Sequence, residues 1–125
     1  MNGGIKDTWA VKNEFIARMN TVDARTYQLI NSAFSQIEIN STTYLCYCMW
    51  DGLLNEIYQY LRIHRLSAQE FENLKNDEIR WINEKEQAMN EVEIAYQRGS
   101  IRAYMVYSTG IEYTKNRCSY LISLI

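Results

Sequence analysis

The 125-residue sequence contains no proline and only five glycines. Because these two residues interrupt helices most often, their scarcity favours long helices. The single histidine, His64, lies at a predicted helix end beside two arginines, where it is better placed to contact terminal carbonyl groups than to act as a base. The sequence also lacks a glycine-rich phosphate loop and any metal-ligand spacing. These absences argue against catalysis, a metal site and a bound cofactor.

The sequence also lacks long apolar runs and an excess of positive charge. No stretch reaches the roughly 18 apolar residues that span a bilayer, so we expect no membrane association. The net charge of −2 argues against direct binding of nucleic acid. The first residues carry no basic-then-apolar leader, which predicts a cytoplasmic location as the chain stands, or export if a leader has been removed.

The three cysteines form an odd set without the spacing of a zinc site. Cys46 and Cys48 point to different sides of a helix and cannot pair with each other. A disulfide from Cys118 to either of them stays open as an alternative. Free thiols packed as small apolar groups are the favoured interpretation, and they mildly favour a reducing compartment.

Apolar residues recur at steps of three and four along most of the chain, the spacing of helices that bury one face. We predict one bent or interrupted helix over 7–38, then helices over 43–64, 67–98 and 101–124. The expected fold is all-α: an antiparallel bundle of three long helices plus an N-terminal helical segment, organised around the helix 67–98. The length predicts a single domain over 1–125, with residues 1–6 disordered and a three-helix core over 43–124.

Local signals place the ends of these helices. Ser67 and Glu70 form a capping-box sequence, and Gly99 is expected to end the same helix in a left-handed conformation. Ser100 is expected to cap the last helix, in which Gly110 predicts close packing against a neighbour. Asn40-Ser41-Thr42 predicts a polar link that caps the second helix, although it also matches an N-glycosylation sequon.

Several polar residues fall on or beside the predicted apolar faces, where an unpaired charge would be costly. We therefore expect ion pairs or hydrogen bonds among four of these residues: Asp51, Glu78, Lys85 and Arg117. We predict an ion-pair and hydrogen-bond network that crosses the three helices. Its expected members are Asp51, Asn55, Tyr58, Glu78, Trp81, Lys85 and Arg117. A catalytic cluster built on Asp51 and Glu78 is a weaker alternative.

The same residues lie in a series of short motifs whose order and spacing are specific when taken together. The motifs are Asp51-x-x-Leu54-Asn55-x-x-Tyr58, Leu74-x-x-x-Glu78-x-x-Trp81-Ile82-x-x-Lys85-Glu86, Gly99-Ser100 and Thr114-x-x-Arg117-x-x-x-Leu121. Over about 44–124 they resemble the LprI-like lysozyme-inhibitor family. The resemblance implies a helical inhibitor that is usually exported, often with paired cysteines. The sequence departs from the family pattern at Glu78, where Gln is usual, and at Lys85-Glu86, where Arg-Asp is usual.

Two sets of residues are candidates for binding a partner. An acidic row along the helix 67–98 has a spacing of seven and suits a basic partner, although a solvated helix face is the favoured interpretation. Three tyrosines lie off the apolar arcs and suit an exposed interface, a core edge or the seam of a homodimer. These candidates are Glu70, Asp77, Glu84, Glu91, Tyr60, Tyr113 and Tyr120.

The sequence therefore predicts a non-enzymatic helical binding protein that acts on another protein. One hypothesis, implied by the resemblance, is inhibition of a lysozyme-like hydrolase. The alternative is an intracellular anti-defence inhibitor of the kind carried by phages and other mobile elements, occluding a nuclease, another defence protein or a nucleotide.

Overall fold

The computed structural model describes residues 7–125, and these form four long helices joined by short connections. The helices are α1 (Thr8–Asn31), α2 (Gln36–Tyr60), α3 (Ala68–Ala95) and α4 (Arg102–Ser123). The all-α prediction is confirmed. The expectation for residues 1–6 lies outside the described residues. Within residues 7–125, no helix has the length and apolar character needed to cross a bilayer.

The centre of the bundle is the pair of helices α2 and α4, which run in parallel. The start of α2 meets the start of α4, where the Asn40 side chain donates to the Ser100 carbonyl and accepts from the Tyr104 backbone N–H. The helices α1 and α3 pack on this pair in the opposite direction. The sequence predicted α3 as the organising helix, but α4 has more buried positions because it packs against each of the other three.

The core lies between α2 and α4 and is closed by α1. Its fully buried side chains include Trp50, Ile57, Leu61 and Leu121. Cys46 and Cys118 are buried beside them, and all three cysteines are free thiols. Burial raises the pKa of Cys118 to about 12, so this thiol stays protonated at neutral pH.

The first helix boundary differs from the prediction. The chain breaks at residues 32–35 instead of Asn40–Thr42, which lie inside α2. Ser35 caps α2 by accepting from the Glu38 backbone N–H, and the Glu38 carboxylate accepts from the Phe34 N–H. The two bonds satisfy two N–H groups at the helix start, although Glu38 accepts from the residue before the cap and not from Ser35 itself. The N-terminal segment is thus a separate helix that ends before α2 begins.

The capping box of α3 is confirmed, since Ser67 and Glu70 bond each other's backbone N–H groups. The end of α3 is different from the prediction. The helix stops at Ala95, and Gly99 does not adopt a left-handed conformation. Ser100 does not cap α4 through its side chain. The reason is that Asn40 supplies the capping acceptor from α2, so the turn needs no local cap.

Gly110 lies where α4 approaches its neighbours most closely. A Cβ atom at this position would lie 2.6 Å from a ring carbon of Tyr47 and 3.0 Å from the side chain of Met89. The prediction that Gly110 permits close packing is confirmed. Its place in mid-helix is therefore explained by the contact of α4 with both α2 and α3.

Candidate functional site

The helix α3 packs on the bundle through a stripe that is half apolar and half charged. Leu74, Glu78, Trp81 and Lys85 follow one another at helical spacing and are all buried. Two ionised groups therefore lie in the middle of a packing contact. Burial of this kind is tolerated only where each charge meets a partner of suitable chemistry.

Arg117 of α4 is the partner of the acidic residues. Its Nε donates to Glu78 Oε1 at 2.7 Å, and its Nη1 donates to Asp77 Oδ2 at 2.8 Å. The guanidinium carbon lies 5.7 Å from the centre of the Trp81 ring and 4.8 Å from that of Tyr120. Among the described residues, no acceptor meets its buried Nη2. The guanidinium is thus fixed by two carboxylates at its edge and two aromatic rings near it.

Lys85 has a different environment from the one predicted. Its Nζ donates to the Tyr47 hydroxyl at 2.7 Å and lies 5.1 Å from the ring centres of both Tyr47 and Trp81. A phenol oxygen and two π faces therefore receive the ammonium group. Tyr47 was missed as a member of the cluster, although its place on the apolar side of α2 was a usable signal.

Three residues of α2 that the sequence predicted as members of this cluster differ in their surroundings. Tyr58 is half-buried and packs against the Phe71 ring of α3. Asp51 is half-buried and, within residues 7–125, forms no hydrogen bond or ion pair; its charge acts on Cys118. Asn55 is exposed, because it follows the buried Leu54 by about 100° around the helix. The structure therefore does not join Asp51 or Asn55 to Arg117.

The electrostatics of the cluster are dominated by burial at Glu78 and by pairing at Asp77. Burial raises the pKa of Glu78 above its ordinary value, in spite of the hydrogen bond from Arg117. Hydrogen bonding from Arg80, and then from Arg117, lowers the pKa of Asp77. Burial also raises the pKa of Tyr58. Glu78 is thus the carboxylate whose charge the fold tolerates least.

We expect Glu78→Gln to leave stability at pH 7 within about 1 kcal/mol of wild type, or to raise it. The amide oxygen can still accept from Arg117, and Asp77 still pairs with the guanidinium. Because the pKa of Glu78 is raised in the folded state, its protonation stabilises the fold as the pH falls toward its ordinary value. The stability of the variant relative to wild type should therefore be higher at pH 7 than at pH 4.

Urea unfolding of both proteins at the two pH values measures this difference. A variant that loses more than about 2 kcal/mol at pH 7 would contradict the expectation, because the ionic contact would then outweigh the penalty of burial.

The expected acidic row is partly neutralised in the structure. Asp77 pairs with both Arg80 and Arg117, and Glu84 pairs with Arg80 at 2.6 Å. Glu70 serves the capping box at one end of α3. Among the residues that the structure describes, the one hydrogen-bond partner of Glu91 is the Gln87 amide at 3.5 Å. The row is therefore not a continuous surface of uncompensated negative charge.

The three candidate tyrosines lie on two different faces. Tyr60 is half-buried against Phe15 of α1. Tyr113 and Tyr120 lie on α4, where they line a depression with Trp81, Asn116 and Arg117. Tyr113 also lines a second depression with Glu84, Gln87, Ala88 and Glu91 of α3. The structure thus brings Glu84, Glu91, Tyr113 and Tyr120 to one surface, which we name the α3–α4 face.

The contacts within the cluster are of the kind that hold packed helices together. Its cations are held by carboxylates and aromatic rings, and within residues 7–125 no group of three histidine, cysteine or acidic side chains could hold a metal ion. The aromatic and acidic side chains of the α3–α4 face, in contrast, remain accessible to another molecule.

Comparison with known proteins agrees with the motifs in this cluster. No curated protein and no solved structure matches the chain. A family model described as lysozyme inhibitor LprI matches residues 30–121, from the end of α1 to the last turns of α4. The match begins earlier than the motifs suggested, and it includes the α1–α2 turn. Because it covers most of the sequence and the residues of the buried cluster, the chain belongs to the LprI lysozyme inhibitor family.

Proposed function

We propose that this protein is a non-enzymatic inhibitor that binds a lysozyme-like hydrolase through protein–protein contact. The observation that carries the proposal is the family match over residues 30–121. The motif residues Glu78, Trp81, Lys85 and Arg117 are buried where α3 packs on α2 and α4. They are suited to hold the helices in register, which leaves recognition to exposed side chains.

The α3–α4 face is the surface that best suits such a partner. Tyr120 is 46% exposed and is held beside Arg117, so its ring offers a contact area that loses little side-chain entropy on binding. Glu91 adds a carboxylate that forms no ion pair within residues 7–125. Lysozymes are commonly cationic, and the Glu91 carboxylate beside this aromatic surface would speed their association.

An inhibition assay tests the proposal directly. We expect the purified protein to slow the clearing of a cell-wall suspension by a cationic lysozyme at micromolar concentration, and increasing salt to weaken the effect. No inhibition at 100-fold molar excess over lysozymes of several classes would contradict the proposal and leave the intracellular anti-defence hypothesis as the alternative.

A pair of charge reversals on one helix tests the proposed surface. Glu91→Lys should weaken inhibition about tenfold, since it places a positive charge on the face that meets a cationic enzyme. Glu93→Lys makes the same change on another side of α3 and should leave inhibition unchanged. Equal effects of the two variants would show that only the overall charge matters, and would exclude the α3–α4 face as the specific contact.

A further inference from the structure

The first half of α2 carries an exposed row of uncharged side chains. Phe34 in the preceding turn is 95% exposed, and Ile37 is 80% exposed. The row continues along the helix at alternating steps of three and four residues, the spacing of a helix that packs against another helix. We name it the α2 stripe, and its residues are Phe34, Ile37, Ser41, Tyr44 and Cys48, all of them exposed.

Most of the sequence around the α2 stripe is also uncharged; the exception is Glu38, whose carboxylate accepts from the Phe34 N–H at one end of the stripe. No Lys, Arg, Asp or Glu occurs from Ile39 to Trp50, and Leu45 beside the stripe is 60% exposed. A contiguous apolar surface on a helix that is otherwise well packed commonly marks an interaction site.

The polar atoms of the α2 stripe already have partners within the protein. The Ser41 hydroxyl donates to the carbonyls of Ile37 and Glu38 at 3.1 and 3.2 Å. The Tyr44 ring packs edge-on against Tyr107, with 4.9 Å between ring centres. Hydrogen bonding with the neighbouring thiol of Cys48 raises the pKa of Tyr44. Covering this surface would therefore leave few polar groups without a partner.

We propose that the α2 stripe is a self-association surface, in which two copies of the chain pack α2 against α2 in antiparallel orientation. A two-fold axis at Ser41 places its small side chain at the closest approach of the two helices. Ile37 of one copy then faces Tyr44 and Leu45 of the other. Because the stripe is uncharged, identical surfaces meet without opposing like charges, which the charged outer face of α3 would not allow.

The size of the surface predicts a weak dimer. Its large side chains offer roughly 400–500 Å² of apolar area per copy. The buried total is then close to the lower limit of about 1,000 Å² for a specific interface. We expect a dissociation constant on the order of tens of micromolar, since small interfaces support transient association. This proposal does not depend on the identity of a hydrolase.

Sedimentation velocity from 5 to 500 µM protein tests self-association. We expect wild type to shift from monomer to dimer across this range. Ile37→Glu should remain monomeric throughout, because it would bury a carboxylate against Tyr44 and Leu45 of the other copy. The matched control is Ile79→Glu on the outer face of α3, where the side chain is 50% exposed; it should dimerise like wild type. Circular dichroism confirms that both variants fold.

Cross-linking tests the position of the axis. In a Cys48→Ser background, Ser41→Cys should form a disulfide-linked dimer on oxidation, since close helix crossing brings the two Cα atoms within the required distance. Ser123→Cys on α4 in the same background should not.

A wild-type protein that stays monomeric at 500 µM would overturn the proposal. So would a dimer that persists in Ile37→Glu, or a lack of cross-linking through Ser41→Cys. If wild type were monomeric and Ile37→Glu abolished lysozyme inhibition, the α2 stripe would belong to the hydrolase contact instead.

Discussion

Replacing Arg117 with methionine is expected to lower the free energy of unfolding by about 3–5 kcal/mol. Within residues 7–125, the substitution removes the only cation that forms a hydrogen bond or ion pair with Glu78, which is buried between α3 and α4. It also removes a partner of Asp77 and the guanidinium beside Trp81. Methionine fills most of the same volume, so the loss measures an uncompensated carboxylate more than a cavity.

The control for this prediction is an exposed ion pair in the same bundle. Arg18 of α1 pairs with Glu56 of α2, and both side chains are about half exposed to solvent. Arg18→Met should cost no more than about 1 kcal/mol. Urea unfolding at pH 7 measures both variants. Adding Glu78→Gln to Arg117→Met should recover part of the loss, and equal losses for Arg117→Met and Arg18→Met would refute the account of the cluster.

Replacing Trp50 with alanine is expected to cost about 3–5 kcal/mol. The side chain is fully buried at the centre of the core, and Lys115 of α4 lies 5.7 Å above its ring while pairing with Asp23 of α1. Within residues 7–125, the indole N–H has no acceptor. The loss therefore comes from apolar transfer and the cavity, because no hydrogen bond is removed.

The matched control is Trp9→Ala in α1, where the indole is 71% exposed and the expected loss is below about 1 kcal/mol. Trp50→Phe gives a second measurement if the alanine variant does not fold, and it should cost less than half as much. Thermal and urea unfolding measure all three variants. A small loss in Trp50→Ala would mean that α1 and α4 close over the vacated space.

Periodicity was enough to predict the helices, because each must bury one face. The helix ends were harder to predict from the sequence. Ser67 and Glu70 were identified as a capping box, and the cap formed by Ser35 was overlooked in favour of Asn40. A side chain such as Asn40 can cap its own helix or a distant one, and only the packing of α2 on α4 decides between them.

Part of the candidate site could be predicted from the sequence, because a charged side chain on the apolar face of a helix needs an ion pair or a hydrogen bond. Glu78 and Arg117 meet because they lie on facing sides of α3 and α4. The partner of Lys85 could not be predicted from charge, since the Tyr47 hydroxyl and the rings of Tyr47 and Trp81 are neutral; the place of Tyr47 on the apolar side of α2 was the usable signal. Asn55 was wrongly assigned to the network, because a residue at the edge of the apolar face of a helix can lie on the buried or on the exposed side.

The position of Asn40 has a practical consequence for producing this protein. Its side-chain nitrogen, the atom to which oligosaccharyltransferase attaches a sugar, donates to the Ser100 carbonyl at the start of α4. A glycan joined to the nascent chain in a eukaryotic secretory host would compete with that bond before α4 could dock. Bacterial expression, or removal of the acceptor sequence through Thr42→Val, avoids this competition.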